Sequence, residues 1–177
     1  MPITLKIETS FSSRAVEIKQ RTLGQMKPIP EEYLNGYVSP SGGYMNYARY
    51  KVSGMNQKTN RKKTIFCDGD SEEEAIEFAA QSGLDKPYDI SVVPFDPPSD
   101  SQIQYAKDLG ITIPEGACLM DVSALICRVK DDDETAPDEW TTKNAIKQGV
   151  RFSRYIGKRA LLNLSTAALL QKKKGKK

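Results

Sequence analysis

Asp68, Asp70 and Glu74 lie close together in the sequence, with Lys63 shortly before them. Converging acids beside a lysine are what a carboxylate-based magnesium nuclease requires. The local pattern also has a simpler reading. Ser71 followed three residues later by Glu74 is a capping box, and the two aspartates fall in the turn before it. The chain has no histidine, which removes Ser-His and Cys-His nucleophilic arrangements and the imidazole metal ligands. It has no G-x-G-x-x-G, P-loop or H-E-x-x-H motif. The acidic run 131–134 lacks the glycine and the ligand spacing of a calcium loop. The expectation is a protein that binds rather than catalyses, with no cofactor and no metal.

The basic residues carry more information. Arg49 and Lys51 alternate with apolar neighbours and share the outer face of a strand, while Lys58, Arg61, Lys62 and Lys63 crowd the hairpin tip that follows. Placed opposite a covering helix, these six form one positive edge able to neutralise phosphates without sequence preference. A second cluster comprises Arg151, Arg154, Lys158 and Arg159, followed by a lysine-rich end. The acids gather in 72–74 and 131–139, which leaves both basic regions undiluted. An ordinary solvated surface is the alternative for both. The whole chain carries 26 basic and 23 acidic residues, a net +3, so distribution rather than total charge has to decide.

The 177 residues suffice for one compact domain or for small modules sharing a core. In residues 1–46, Ile3, Leu5 and Ile7 alternate as a short strand, Ser12 or Ser13 caps a helix to Leu23, and an irregular Tyr/Gly/Pro-rich segment follows, including Tyr33, Tyr37 and Tyr44. Residues 47–97 read as ββαβ: Ala48, Tyr50 and Val52 set one strand, Ile65 and Cys67 a second, Ala75, Ile76 and Ala79 a helix, and Ile90 and Val92 a third strand.

Residues 98–130 are the best-written local structure. Ser99 and Gln102 form a capping box, Ile103, Ala106 and Leu109 recur at helical spacing, and Gly110 stops the helix. Residues 111–113 look extended, Pro114 and Gly116 turn the chain, and Val122, Leu125, Ile126 and Val129 stripe a second helix from about Met120. Residues 131–139 read as a solvated acidic linker. Residues 140–171 read as helices, the first capped by Thr141 and the second by Ser153. Residues 172–177 read as a disordered lysine tail. Cys67, Cys118 and Cys127 form no C-x-x-C pair and read as reduced thiols of a cytosolic protein. The start of the chain lacks a signal peptide's apolar core, and no run is long enough to span a membrane. The fold class expected is α+β.

The central stretch, through Ser99, Gln102, Tyr105-Ala106, Leu109-Gly110-Ile111, Pro114 and Ser123-Ala124-Leu125-Ile126, resembles a SAP-like helix–extended-loop–helix module of Firmicutes phages and integrative elements. Where that family opens its second helix with Ser or Thr, this chain has Cys118. The resemblance implies a non-enzymatic cytoplasmic protein of a phage or mobile element. Its partner would be a nucleic acid–protein complex. The specific role it implies is a type II anti-CRISPR inhibitor of an RNA-guided Cas nuclease. The alternatives are a DNA-binding accessory of excision, replication or transcription, and, third, a metal-dependent nuclease.

Overall fold

The computed structural model describes residues 26–34, 39–42 and 47–174. The expected N-terminal strand and helix, Tyr37 and Tyr44 lie outside the described residues. The fold is α+β. Strands β1 (Ala48–Asn56), β2 (Lys62–Gly69) and β3 (Leu84–Val93) make an antiparallel sheet in the order β2-β1-β3. Helix α1 (Glu72–Gln81) connects β2 to β3. Ser71 caps it by accepting from the Glu74 N–H, and three glutamates occupy its first turn, where the helix dipole favours negative charge.

Helix α1 covers the sheet face carrying Ala48, Tyr50 and Val52. Ala75, Ala79 and Leu84 complete that core, with Ile65, Cys67 and Ile90 at its margin. Ile76, expected on the buried side, is only half-buried and outside this cluster.

Helices α2 (Asp100–Asp108) and α3 (Leu119–Lys130) form the helix–extended-loop–helix. The Ser99/Gln102 capping box is present in both directions, and Gly110 takes φ 73° just past the helix end. Val122, Leu125 and Ile126 are buried with Ala106 and Ile111, and Leu109 packs at the edge. Ile103, expected opposite them, is half-buried and outside this cluster. The weak Cys118 start is reinforced from inside the helix: the buried Asp121 carboxylate accepts the Cys118 N–H at 3.1 Å.

Helices α4 (Glu139–Lys147) and α5 (Lys158–Lys174) complete the chain. They share a core of Ala145, Val150, Phe152 and Leu161 with Ile29 and Leu34, the latter ending a 3-10 turn at Glu31–Leu34. Tyr33 therefore packs on the C-terminal helices rather than on the module that follows it in sequence.

Three expectations about this half are corrected. The cap of α4 is Asp138, which accepts the Thr141 N–H at 2.8 Å, so Thr141 lies inside the helix. Ser153 does not cap α5; it is buried, and its hydroxyl donates to Asp121. Residues 131–134 are not a uniformly solvated linker. Asp133 is buried, and its carboxylate accepts the N–H groups of Arg159 at 3.1 Å and Ala160 at 2.9 Å. It satisfies the first turn of α5 from 26 residues away in sequence.

The lysine tail also differs. Lys172, Lys173 and Lys174 belong to the last turn of α5, and Lys172 donates to the Gln148 carbonyl at 3.0 Å. Cations at a helix C-terminus meet the negative end of its dipole and its unpaired carbonyls, which extends the helix into the charged run. Residues 175–177 lie outside the described residues. Among the described residues no helix is long and apolar enough to cross a membrane, and the three thiols are unpaired.

Candidate nucleic-acid interface

The pairing of β1 with β2 sets the geometry of the basic hairpin. Side chains directly opposed across a sheet share a face. Arg49 pairs with Asp68, Lys51 with Phe66, Ser53 with Thr64 and Met55 with Lys62, all on the face opposite α1. Lys63 pairs with Gly54, so it alternates to the face that carries α1. The expected single positive edge is thus divided: Lys51 and Lys62 lie on the open face, Lys58 and Arg61 near the tip, and Lys63 on the other side.

Lys51, Lys58, Arg61, Lys62 and Lys63 are all exposed, and none forms an ion pair among the described residues. Arg49 behaves differently. Its guanidinium is 2.7 Å from the Asp96 carboxylate and 4.0 Å from Asp68, and it lies 5.5 Å from the centroid of the Phe66 ring. Asn56 holds the turn of the hairpin: its side-chain oxygen accepts the N–H groups of Lys58 and Thr59 at 2.9 and 3.1 Å. The tip cations therefore stand on an ordered turn.

Two members of the second basic cluster, Arg151 and Lys158, are folded onto acids that are distant in sequence. Arg151 donates twice to Glu74, at 2.8 and 3.0 Å, and approaches Asp70 at 3.4 Å and the Asp68 carbonyl at 3.2 Å. Lys158 lies 2.7 Å from Asp138. Arg159 donates to the Asp131 carbonyl. Arg154 is half-buried over the Tyr155 ring, at 5.4 Å. The acids at 72–74 and 131–139 are not kept apart from the positive residues, as expected; the tertiary fold brings Glu74 and Asp138 onto them. Arg128, near the end of α3, is 1 % exposed and donates to the carbonyls of Lys27, Asp133 and Glu134.

Of the acids considered for a nuclease, Glu74 and Asp70 are engaged by Arg151, whereas the Asp68 carboxylate lies 4.0 Å from Arg49; Asp68 and Glu74 line, with Arg151, a cavity of about 420 Å³. The Asp70 N–H, donating to Glu74 at 2.7 Å, and then Arg151 hold the Glu74 carboxyl below the usual range. Lys63 lies outside this cluster of contacts. Among the described residues no group of three Asp, Glu or Cys side chains is arranged to hold a metal ion.

Four exposed aromatics, Phe66, Phe78, Tyr105 and Trp140, were not singled out from sequence as surface features. Phe66 is 52 % exposed on the open face of the sheet, and Trp140 is 70 % exposed on α4. The signal for Phe66 was available: it alternates with Ile65 and Cys67, which face α1. Comparison with protein-family models, curated proteins and solved structures finds no match to this chain.

Proposed function

We propose that this is a non-enzymatic binding protein of a phage or mobile element, acting in the host cytoplasm on a nucleic acid–protein complex through its β1–β2 hairpin. The observation that carries the reading is the contrast in pairing. Among the described residues, five hairpin cations are exposed without an acid partner, whereas Arg151 and Lys158 are tied to carboxylates. Exposed cations on two strands and on the ordered turn between them are available to replace the counterions of a phosphate backbone.

The specific role proposed is inhibition of a type II RNA-guided Cas nuclease. Such nucleases hold their heteroduplex in a positively charged channel and the displaced strand in a groove. A small protein that engages the bound nucleic acid beside that channel interferes with DNA binding or cleavage without chemistry of its own. This role rests on the family resemblance of the central module; the hairpin supplies a surface suited to it.

The test is titration of the full chain against a guide-loaded Cas nuclease, the guide RNA alone and duplex DNA, with target cleavage followed in parallel. The reading expects tighter binding to the loaded complex than to free duplex, and stoichiometric loss of cleavage. Binding to duplex alone, with steep salt dependence and cleavage unaffected, would instead identify a DNA-binding accessory. Magnesium-dependent cleavage by the protein itself, abolished by chelator, would overturn the non-enzymatic reading.

A further inference from the structure

The open sheet face holds more than charge. Phe66 projects from β2 directly opposite Lys51 of β1, and the Arg49 guanidinium lies 5.5 Å from its ring centroid. Its neighbours across and along the strands are polar: Thr64 and Ser53, joined at 2.8 Å, and Ser91 of β3, opposite Lys51. An aromatic ring 52 % exposed in such surroundings has no apolar core to join.

We propose that this face binds single-stranded nucleic acid, with one base stacked on Phe66 and the adjoining phosphates running past Lys51 and Lys62 toward Arg61. The inference rests on the polyanion-binding reading above and narrows it to unpaired strands. A base buried in a duplex offers no free face to a flat sheet, whereas an unstacked base does. The spacing fits. Phe66 and Lys62 are four residues apart on one strand, roughly 13 Å at about 3.3 Å per residue, a span of a few nucleotides.

The acids set the direction of the path. Asp96 and Asp68 are engaged by Arg49 at the far end, and Asp89 lies on β3 opposite Ser53. Phosphates are therefore repelled from the β3 side and attracted along β1 and β2. Arg49, already neutralised by Asp96 at 2.7 Å, steadies the ring rather than binding phosphate.

The experiment is fluorescence anisotropy of labelled oligothymidylate, oligouridylate and a duplex of equal length, titrated with the full chain. Single strands should bind more tightly than the duplex, and the two homopolymers separate a DNA from an RNA preference. Phe66→Ala and Phe66→Leu should each weaken single-strand binding about 10-fold while leaving duplex binding unchanged. Phe66→Tyr should retain it. Leucine keeps apolar bulk without a π face, so it isolates stacking from any loss of folding. Wild-type affinity in Phe66→Leu, or a duplex bound as tightly as the single strands, would overturn the inference. Either result leaves the proposed function to its own test, because inhibition of the loaded nuclease is measured without these probes.

Discussion

The Arg151 guanidinium grips the Glu74 carboxylate at 2.8 and 3.0 Å across 77 positions of sequence. This pair fastens the C-terminal half to the first turn of α1. It also removes one cation and one acid from the surfaces that a linear reading would assign to function. Because both partners are partly exposed, the pair's net contribution is modest, about 1 kcal/mol or less. Arg151→Ala should lower stability by about that amount in urea unfolding and leave partner binding unchanged. A large loss of binding with stability intact would return Arg151 to the working surface.

Leu125 is 2 % exposed in the core between α2 and α3. Leu125→Ala should destabilise the protein by about 2–5 kcal/mol, read from chemical denaturation. A change below about 0.5 kcal/mol would contradict the packing of these two helices.

The Asp133 carboxylate is the cap of α5, and Gly157 packs directly against it; a Cβ at Gly157 would overlap the carboxylate. Asp133→Ala should cost about 1–3 kcal/mol. Gly157→Ala should also destabilise, because Asp133 would have to leave its position. If both variants melted with the wild type, the capping assignment would be wrong.

Tyr47 sits where the sheet meets the helical module, edge-on to Phe95 at 5.3 Å and beside buried Cys118. Burial, and then the Asp68 carboxylate, push its phenol up to about 12. A raised folded-state pKa means the associated stability is fully present below the ordinary tyrosine value, about 10. It is lost as pH climbs toward about 12. Tyr47→Phe should flatten that alkaline loss in melting curves taken across the window. An alkaline profile identical to wild type would place the sensitivity in other groups.

Legibility differed with the range of the interactions involved. The Ser71 and Ser99 caps, Gly110 and the alternation of β1 depend on neighbours within a turn or a strand, and sequence periodicity reaches that far. Asp133 capping α5, Glu74 holding Arg151 and Ile29 packing with Leu161 join residues far apart in sequence, and no local pattern encodes them. For the candidate site the division is similar. Exposure of the hairpin cations followed from alternation. The loss of Arg151 and Lys158 to ion pairs did not. The face of Lys63 was legible in the strand itself, since it stands two and four residues before Ile65 and Cys67 and so shares the side that carries α1.

The proposed function places nucleic-acid contact on the hairpin cations Lys51, Lys58, Arg61, Lys62 and Lys63. The most direct measurement is the affinity of the Arg61→Glu, Lys62→Glu, Lys63→Glu triple variant for the guide-loaded nuclease, taken across a salt series beside its melting curve. The melting temperature should stay within a few degrees of wild type, since exposed unpaired charges contribute little to stability. Affinity should fall by about 10-fold or more, and the salt dependence should flatten as phosphate contacts are lost. Unchanged affinity and an unchanged salt slope in a folded triple variant would show that the hairpin cations do not meet the nucleic acid.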